Sequence, residues 1–159
     1  MTAWDTAIGH VLQAEGGYVD NPRDPGGETN FGISKRAYPA LDIRALTPEA
    51  ATAIYRRDYW DACQCDKLPG PVAVVLFDAA VNQGVGAAVR MLQHALRVAE
   101  DGAIGVQTLD AVAHRGTVQL AKRLMALRIK RYAATANWDT FADSWLARCM
   151  DCLEAAVRL

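Results

Sequence analysis

Apolar residues recur at helical spacing along most of the chain. Residues 3–14 predict a first helix, because their apolar side chains fall at the three- and four-residue steps of one buried face. The pair Gly16-Gly17 ends this helix, since glycine tolerates the left-handed conformation that often follows a last turn. A second helix begins at Thr47-Pro48, a capping residue followed by proline at the first helical position, and runs to about Trp60.

The middle of the chain is more uniformly apolar. Residues 71–82 predict a helix without a polar side, and such a helix belongs at the centre of a fold. Residues 61–70 predict a linker that leads into it. The helical pattern then continues towards the C-terminus in four further segments: 86–98, 105–113, 116–135 and 139–157.

The segment from Tyr18 to Ile33 breaks the helical pattern. It is rich in Gly, Pro, Asn and Asp, which predicts an ordered loop or a short hairpin. No alternating run elsewhere is long enough for a sizeable sheet. The pattern as a whole therefore predicts a mostly α fold with one small irregular loop or β-hairpin near the N-terminus.

Length and composition favour a single soluble unit. The 159 residues, of which 52% are hydrophobic and 22% charged, are enough for one compact domain with its own core. The N-terminus shows no secretory signal, and the apolar stretch 71–77 is far shorter than the roughly 20 residues of a membrane span. We expect a cytosolic protein without a membrane span. Its cysteines are expected to be free structural thiols, because the Cys-x-Cys spacing is atypical of zinc sites: Cys63, Cys65, Cys149 and Cys152.

Charge is distributed unevenly along the chain. Between Asp110 and Asp139 there is no acidic residue, whereas six basic residues fall there: Arg115, Lys122, Arg123, Arg128, Lys130 and Arg131. Such a run on helices is commonly a solvated face, and the alternative is a surface that attracts a polyanion such as cell-wall polymer, phospholipid or nucleic acid. The acidic overall balance argues against nucleic acid, so we expect no nucleic-acid partner.

The loop after the first helix holds the candidate chemistry. Cleavage of a glycosidic bond requires one carboxylic acid to protonate the leaving oxygen and usually a second carboxylate. Glu15, at the last turn of an apolar helix, suits the acid, because the negative end of the helix dipole disfavours a charged carboxylate there. Asp20 and Asp24 are both candidates for the second carboxylate. The alternative is an inert surface loop, and the segment does not fit an EF-hand calcium site.

Several polar and aromatic residues outside this loop have two possible roles. Asp78 and Asn82 lie four residues apart on one face of the central helix, and burying either without a partner would cost about 1–3 kcal/mol. They are therefore either bonded to the Gly-rich loop or exposed in the cleft, where they would contact substrate. The tryptophans are either core residues or sugar-stacking platforms: Trp60, Trp138 and Trp145. The histidines are expected to be structural, with no metal site: His10, His94 and His114.

The loop also carries a recognisable signature. It resembles that of glycoside hydrolase family 108, the N-acetylmuramidases of phages and bacteria, whose catalytic glutamate lies in a Glu-Gly-Gly-Tyr motif. The motifs that carry the resemblance at the N-terminal end are Glu15-Gly-Gly-Tyr18, Asp24-Pro-Gly-Gly-Glu-Thr-Asn-Phe-Gly-Ile33, Tyr55-Arg-Arg-Asp-Tyr-Trp60 and Phe77-Asp-Ala-Ala-Val-Asn82. The motifs that resemble the family's peptidoglycan-binding region are Leu92-Gln-His-Ala-Leu96, Asp101-Gly-Ala-Ile-Gly105 and Gln107-Thr108.

The resemblance implies roles for particular residues. It assigns the general acid to Glu15. A second similarity is to the phage lysozymes of the T4 type, in which eight residues separate a Glu from an Asp and about five separate that Asp from a Thr. In this chain eight residues separate Glu15 from Asp24, and four separate Asp24 from Thr29. By this similarity Asp24, ahead of Asp20, would be the base or electrostatic partner, and Thr29 would orient a water. Tyr18 and Asn30 are candidate substrate-binding residues, together with Asp78 and Asn82.

The function implied is that of a phage endolysin. We expect a lysozyme-like, two-lobed fold with lobes 1–70 and 71–159, acting without a cofactor on the β-1,4 bond between N-acetylmuramic acid and N-acetylglucosamine. Glycan strands of peptidoglycan would be the partner, and the protein is expected to be a monomer. It would wait in the host cytoplasm until a holin delivers it to the periplasmic wall. The alternatives are a lytic transglycosylase and a non-catalytic peptidoglycan-binding module, and the anomeric outcome stays open.

Overall fold

A computed structural model describes residues 1–20 and 27–159. Helices dominate these residues, and one small antiparallel hairpin lies near the N-terminus. The mostly α fold class with a small hairpin is therefore confirmed. The α-helices are α1 (Ala3–Glu15), α2 (Pro48–Tyr55), α3 (Gly70–Gln83), α4 (Val85–Leu96), α5 (Val106–Ala113), α6 (Thr117–Ala133) and α7 (Trp138–Val157). The strands are β1 (Thr29–Asn30) and β2 (Ile33–Ser34).

Helix α1 has a local signal at each end. Thr2 and Asp5 form a capping box, in which each side chain accepts a hydrogen bond from the other residue's backbone N–H. Gly16 follows the helix with φ of 71°, a value that glycine adopts without strain. These two signals fix the length of α1, and they make Glu15 its last residue.

The hairpin follows from a two-residue turn. Thr29 pairs with Ser34 and Asn30 with Ile33, so Phe31 and Gly32 alone connect the strands. Both have positive φ, 50° and 75°, as the tight hairpin turns that match the twist of antiparallel strands require. A further antiparallel bridge joins Val19 to Thr29 through two backbone hydrogen bonds of 2.8 Å. The hairpin is thereby tied to the chain just after α1.

Helix α2 does not end at Tyr55 but widens. Residues Arg56–Asp61 continue it as a π-helical turn, and the fully buried Trp60 lies in this turn. The sequence predicted a helix as far as Trp60 but gave no sign of the change in winding. A short 3₁₀ turn, Cys65–Lys67, then leads into α3.

Helix α3 forms the centre of the fold. Every residue from Val72 to Ala80 is buried, and α1, α4, α6 and α7 all pack against it. The Trp60 ring lies 5.6 Å from Phe77 and 5.2 Å from Trp4, so it belongs to the core rather than to a sugar platform. The buried position predicted for this helix is correct, and it places one acidic residue, Asp78, in the middle of the core.

Three further features are the state of the cysteines, the lack of a membrane-spanning helix in the described residues and the contacts between the predicted lobes. All four cysteines are buried, free thiols. Among residues 1–20 and 27–159, no helix combines the length and the apolar composition that crossing a membrane demands. The division into lobes 1–70 and 71–159 stays a prediction, and α1 of the first segment packs against both α3 and α7 of the second.

Candidate active site

Glu15 lies at the C-terminal end of α1, and its side chain is 23% exposed. Its Oε1 accepts a hydrogen bond of 2.7 Å from Nη1 of Arg148, a residue of α7 that is 133 positions away. A charge-assisted hydrogen bond of this length restricts the rotation of a carboxylate. The proposed acid is therefore held by a contact between the two ends of the chain.

Arg148 also binds a second carboxylate. Its Nη2 and Nε donate to Oδ1 of Asp78 at 2.8 and 3.1 Å. Arg128 of α6, with no exposed side-chain surface, forms an ion pair with Oδ2 of the same residue. Two arginines thus enclose Asp78, whose side chain is only 1% exposed. We call the group Glu15, Arg148, Asp78 and Arg128 the buried charge network.

The network keeps its groups charged. Burial by itself raises the pKa of Asp78, but the charges of Arg128 and Arg148 outweigh burial and hold that pKa below its usual value. Burial alone lowers the pKa of Arg148, and the carboxylates of Asp78 and Glu15 raise it overall. Removing one member would leave its partner as a charge without compensation in the core, which is strongly destabilising. The network is therefore a fixed part of the structure on which Glu15 depends.

The hairpin turn forms the opposite wall of the site. A Cβ atom added to Gly32 would lie 2.7 Å from Oε2 of Glu15 and 2.6 Å from the Tyr55 hydroxyl. The Tyr55 hydroxyl donates to the Phe31 carbonyl oxygen at 2.8 Å and so secures the turn. Burial and then the neighbouring Glu15 charge raise the pKa of Tyr55, so it stays a neutral donor. Glycine is required here both for its positive φ and for the close approach to the carboxylate.

A groove of about 1040 Å³ lies between α1 and α7, and Arg148 is the member of the buried charge network that lines it. Asn82 from the end of α3 and Ser144 and Trp145 from α7 are also part of its lining. An aromatic ring, an amide and a hydroxyl therefore share a groove with the guanidinium that binds Glu15. Concave sites with a few convergent polar groups are typical of ligand binding.

Comparisons with known proteins agree with this geometry. Residues 8–84 match the family model described as "Glycosyl hydrolase 108", and residues 87–150 match the one described as "Predicted Peptidoglycan domain". A solved structure titled "Structure of Brucella abortus SagA" is similar over 98% of this chain and 94% of that chain, with 35% identity and a TM-score of 0.88. A comparison with curated proteins gives no match. The chain belongs to the glycosyl hydrolase 108 family.

These comparisons confirm two predictions and support a third. The protein is a glycoside hydrolase, and its fold is lysozyme-like. The second matched region supports peptidoglycan as its substrate. The boundary between the two matched regions falls just after α3, so the central helix lies within the glycosyl hydrolase match.

The structure places the predicted loop residues in different surroundings. Thr29 pairs through its backbone with Val19 on one side and Ser34 on the other. The Tyr18 hydroxyl donates to Glu28 at 3.0 Å, and the guanidinium of Arg44 lies 5.0 Å from the Tyr18 ring centre. Asp20 is exposed, whereas Asp24 lies outside the described residues.

Asn30 is almost fully buried. It is only 6% exposed, and its amide nitrogen donates to the backbone oxygens of Ile43 and Leu46 at 3.1 and 3.3 Å. These bonds tie the hairpin to the loop that precedes α2. The amide nitrogen therefore has a structural role, and a substrate contact for Asn30 stays a prediction.

Asp78 and Asn82 have different surroundings. Asp78 is buried and bound by two arginines rather than by the Gly-rich loop, and its contact with substrate stays a prediction. Asn82 is exposed, and its amide donates to the Asp78 carbonyl oxygen at 2.9 Å. Its place in the groove lining keeps a substrate contact for Asn82 as a prediction.

Sequence reasoning missed Arg148 and misplaced Arg128. Arg128 belongs to the basic run between Asp110 and Asp139, which predicts a solvated face. In the structure its side chain has no exposed surface. The available signal was Asp78 itself, since a carboxylate in an otherwise apolar helix needs a cationic partner. Nothing in the local pattern tells which arginine supplies it.

His10 lies at the edge of the buried charge network. Its Nε2 is 3.6 Å from Oδ1 of Asp78, and the Cys152 thiol is close to both. Burial lowers the pKa of His10, and the Asp78 charge opposes this only in part. His10, Asp78 and Cys152 have the residue types of a metal site, but two guanidinium groups already bind the carboxylate and would repel a cation.

Proposed function

We propose that this family 108 protein is a phage endolysin that hydrolyses the β-1,4 bond between N-acetylmuramic acid and N-acetylglucosamine, with Glu15 as the general acid. The observation that supports this role best is the contact of Glu15 with Arg148 on one side and with the Gly32 turn on the other. A carboxyl group fixed from both sides can deliver a proton along one direction, as acid catalysis requires.

The contacts distinguish the two oxygens of Glu15. Oε1 accepts from Nη1 of Arg148, a group that can only donate hydrogen bonds. A proton on Oε1 would face that donor, so the acid carries its proton on Oε2. Oε2 lies next to Gly32, the one residue type that leaves room at that position. Protonation of the glycosidic oxygen would therefore come from the hairpin side of the carboxyl group.

Arg148 binds Asp78 as well as Glu15. Two of its hydrogen bonds go to Asp78 and one goes to Glu15. Asp78 and Arg128 anchor the guanidinium within the core, so that Arg148 orients the acid without moving with it. This anchoring is the contribution of the central helix to the proposed reaction.

The second catalytic group belongs to the segment between α1 and β1. Asp24 is our first choice for the base or electrostatic partner, with Asp20 as the alternative, and Thr29 would orient the attacking water. Val19 and Thr29, which flank this segment in the chain, are joined by an antiparallel bridge, and Val19 is four residues from Glu15.

The proposed biological setting is the lysis of a phage-infected cell. The protein would act as a monomer on the glycan strands of the periplasmic wall, after a holin releases it from the host cytoplasm. The proposed reaction requires no cofactor, because the leaving sugar needs only a proton. Host cell lysis would be the result.

Loss of turbidity of outer-membrane-permeabilised Gram-negative cells tests the proposal. Folded Glu15→Gln should not clear the cells, and Asp24→Asn should be strongly impaired. Glu49→Gln, at an exposed position in the first turn of α2, is the matched control and should clear them at the parent rate. Clearing by Glu15→Gln at the parent rate would remove Glu15 from the reaction and favour a wall-binding module.

Mass spectrometry of the released fragments tests the reaction itself. Hydrolysis should give reducing N-acetylmuramic acid ends. Products lighter by one water would identify a lytic transglycosylase instead. Reducing N-acetylglucosamine ends would show that the other bond of the glycan is cut.

A further inference from the structure

Helix α7 carries a row of aromatic residues that ends at the proposed active site. Trp138, Phe141 and Trp145 are separated by three and four residues, and Arg148 follows three residues later. Residues at these spacings lie on one face of a helix. Phe141 and Arg148 are therefore about 10 Å apart along the helix axis. We call Trp138, Phe141 and Trp145 the aromatic row.

The rings of the row are packed against one another. The Trp145 ring lies 5.6 Å from Phe141 and 6.5 Å from Trp138. On α6, Tyr132 stacks on Trp145 at 4.5 Å with an angle of 20° between the planes. Tyr132 is itself buried, and the Arg128 guanidinium lies 5.6 Å from its ring centre. Tyr132 thus connects the buried charge network to Trp145 of the row.

The row is nevertheless partly open to solvent, since Trp138 and Trp145 are only partly buried and Phe141 is exposed. Phe141 is 46% exposed, which is more than a core residue of its size would be. Trp145 lines the groove beside Ser144, Asn82 and Arg148. A rigid apolar surface with a hydroxyl and an amide at its edge suits a pyranose ring, which has apolar faces and polar edges. Because the rings are already ordered, a ligand would not have to immobilise them.

We propose that the aromatic row is a binding platform for the glycan strand of peptidoglycan, and that it guides the strand towards Glu15. The occupant is inferred from two observations. Trp145 of the row lines the same groove as Arg148, which binds Glu15, and the row lies within residues 87–150, which match the predicted peptidoglycan domain. The inference rests on the proposed function, because the strand that the row holds is the one that Glu15 would cleave.

Binding to purified sacculi tests the platform separately from catalysis. The binding should be measured in the Glu15→Gln background, so that the wall is not consumed. Phe141→Ala and Trp145→Ala should each weaken sacculus binding about twofold to tenfold, as loss of an aromatic contact would. Trp145→Phe should retain most of the binding. Met150→Ala is the matched control, since Met150 is 48% exposed on α7 but outside the groove lining, and it should bind like the parent.

The outcomes separate the two proposals. Unchanged sacculus binding in both Phe141→Ala and Trp145→Ala would overturn the platform, even if the parent protein hydrolyses the wall. Weaker binding by the folded variants would support it, even if the parent released no reducing ends and the proposed function failed. Phe141→Ala leaves the core intact, so it tests the platform should Trp145→Ala not fold. A concentration-dependent dimer that Phe141→Ala abolishes, with wall binding unchanged, would assign the row to a second copy of the chain.

Discussion

Arg148 holds Asp78 by two hydrogen bonds, of 2.8 and 3.1 Å, across 70 positions of the chain. The same guanidinium donates to Glu15, so one side chain connects the core to the carboxyl group that we assign as the acid. The catalytic position of Glu15 thus depends on contacts made far from it in sequence.

Replacing Arg148 should reduce turnover rather than substrate binding. Arg148→Lys keeps the charge but cannot donate to both carboxylates in the fixed geometry of a guanidinium, so Glu15 would lose its orientation. We expect kcat on soluble peptidoglycan fragments to fall about tenfold to a hundredfold with little change in KM. Arg123→Lys, at an exposed position on α6 outside the groove lining, is the control and should leave both constants unchanged. A parent-like kcat for Arg148→Lys would show that the acid needs no such support.

Removal of the buried carboxylate should destabilise the fold. Asp78→Asn leaves Arg128 as a cation without its charged partner in the core, and the free energy of unfolding should fall by about 3–5 kcal/mol. Urea denaturation followed by circular dichroism measures this change. Asp110→Asn, at a side chain 72% exposed, should change it by less than about 0.5 kcal/mol. Equal stability of the two variants would contradict a structural role for Asp78.

His10 should make stability depend on pH in the acid range. Burial lowers the pKa of His10 in the folded state. The charge of Asp78 raises that pKa, but the charges of Arg148 and Arg128 lower it further. The unfolded state therefore binds more protons below its own pKa of about 6.5, and the free energy of unfolding falls as pH decreases from there towards the folded pKa. Asp78, with its lowered pKa, contributes only at more acidic pH, as pH falls through its folded pKa.

The comparison of urea midpoints at pH 7.5 and 5.0 isolates this effect. His10→Gln should lose less stability between these two values than the parent does. His114→Gln, at a side chain 76% exposed, should lose as much as the parent. If His10→Gln and the parent showed the same loss, another group would carry the pH dependence.

The Gly32 turn allows a test of close packing against Glu15. Gly32→Ala combines a positive φ of 75° with a Cβ atom 2.7 Å from Oε2 of Glu15. Gly16→Ala is its matched control, because φ is 71° there and nothing lies within 4 Å of the added Cβ. Both variants should lose about 1–2 kcal/mol of stability from backbone strain. Only Gly32→Ala should also abolish most of the turnover, which cell clearing measures, and equal clearing by both would show that the turn does not confine the acid.

The helices and the hairpin could be predicted because their signals are local. The apolar spacing of residues 3–14, the Thr47-Pro48 start and the Gly16-Gly17 end each act within a few residues, and the structure reproduces them. The π-helical turn at Arg56–Asp61 was not predicted, since the apolar spacing does not distinguish it from an ordinary helical turn. Glu15 and the first part of the family signature, up to Ile33, likewise lie within one continuous segment.

The sequence by itself determined the mostly α fold, the hairpin near the N-terminus and the family to which the chain belongs. The tertiary structure alone decided that Asp78 is buried, that Arg128 and Arg148 neutralise it and that the Asn30 amide binds the backbone of another loop. The reason is physical: helical periodicity is set by neighbours three and four positions apart, whereas Glu15, Asp78 and Arg148 meet only after α1, α3 and α7 have packed together.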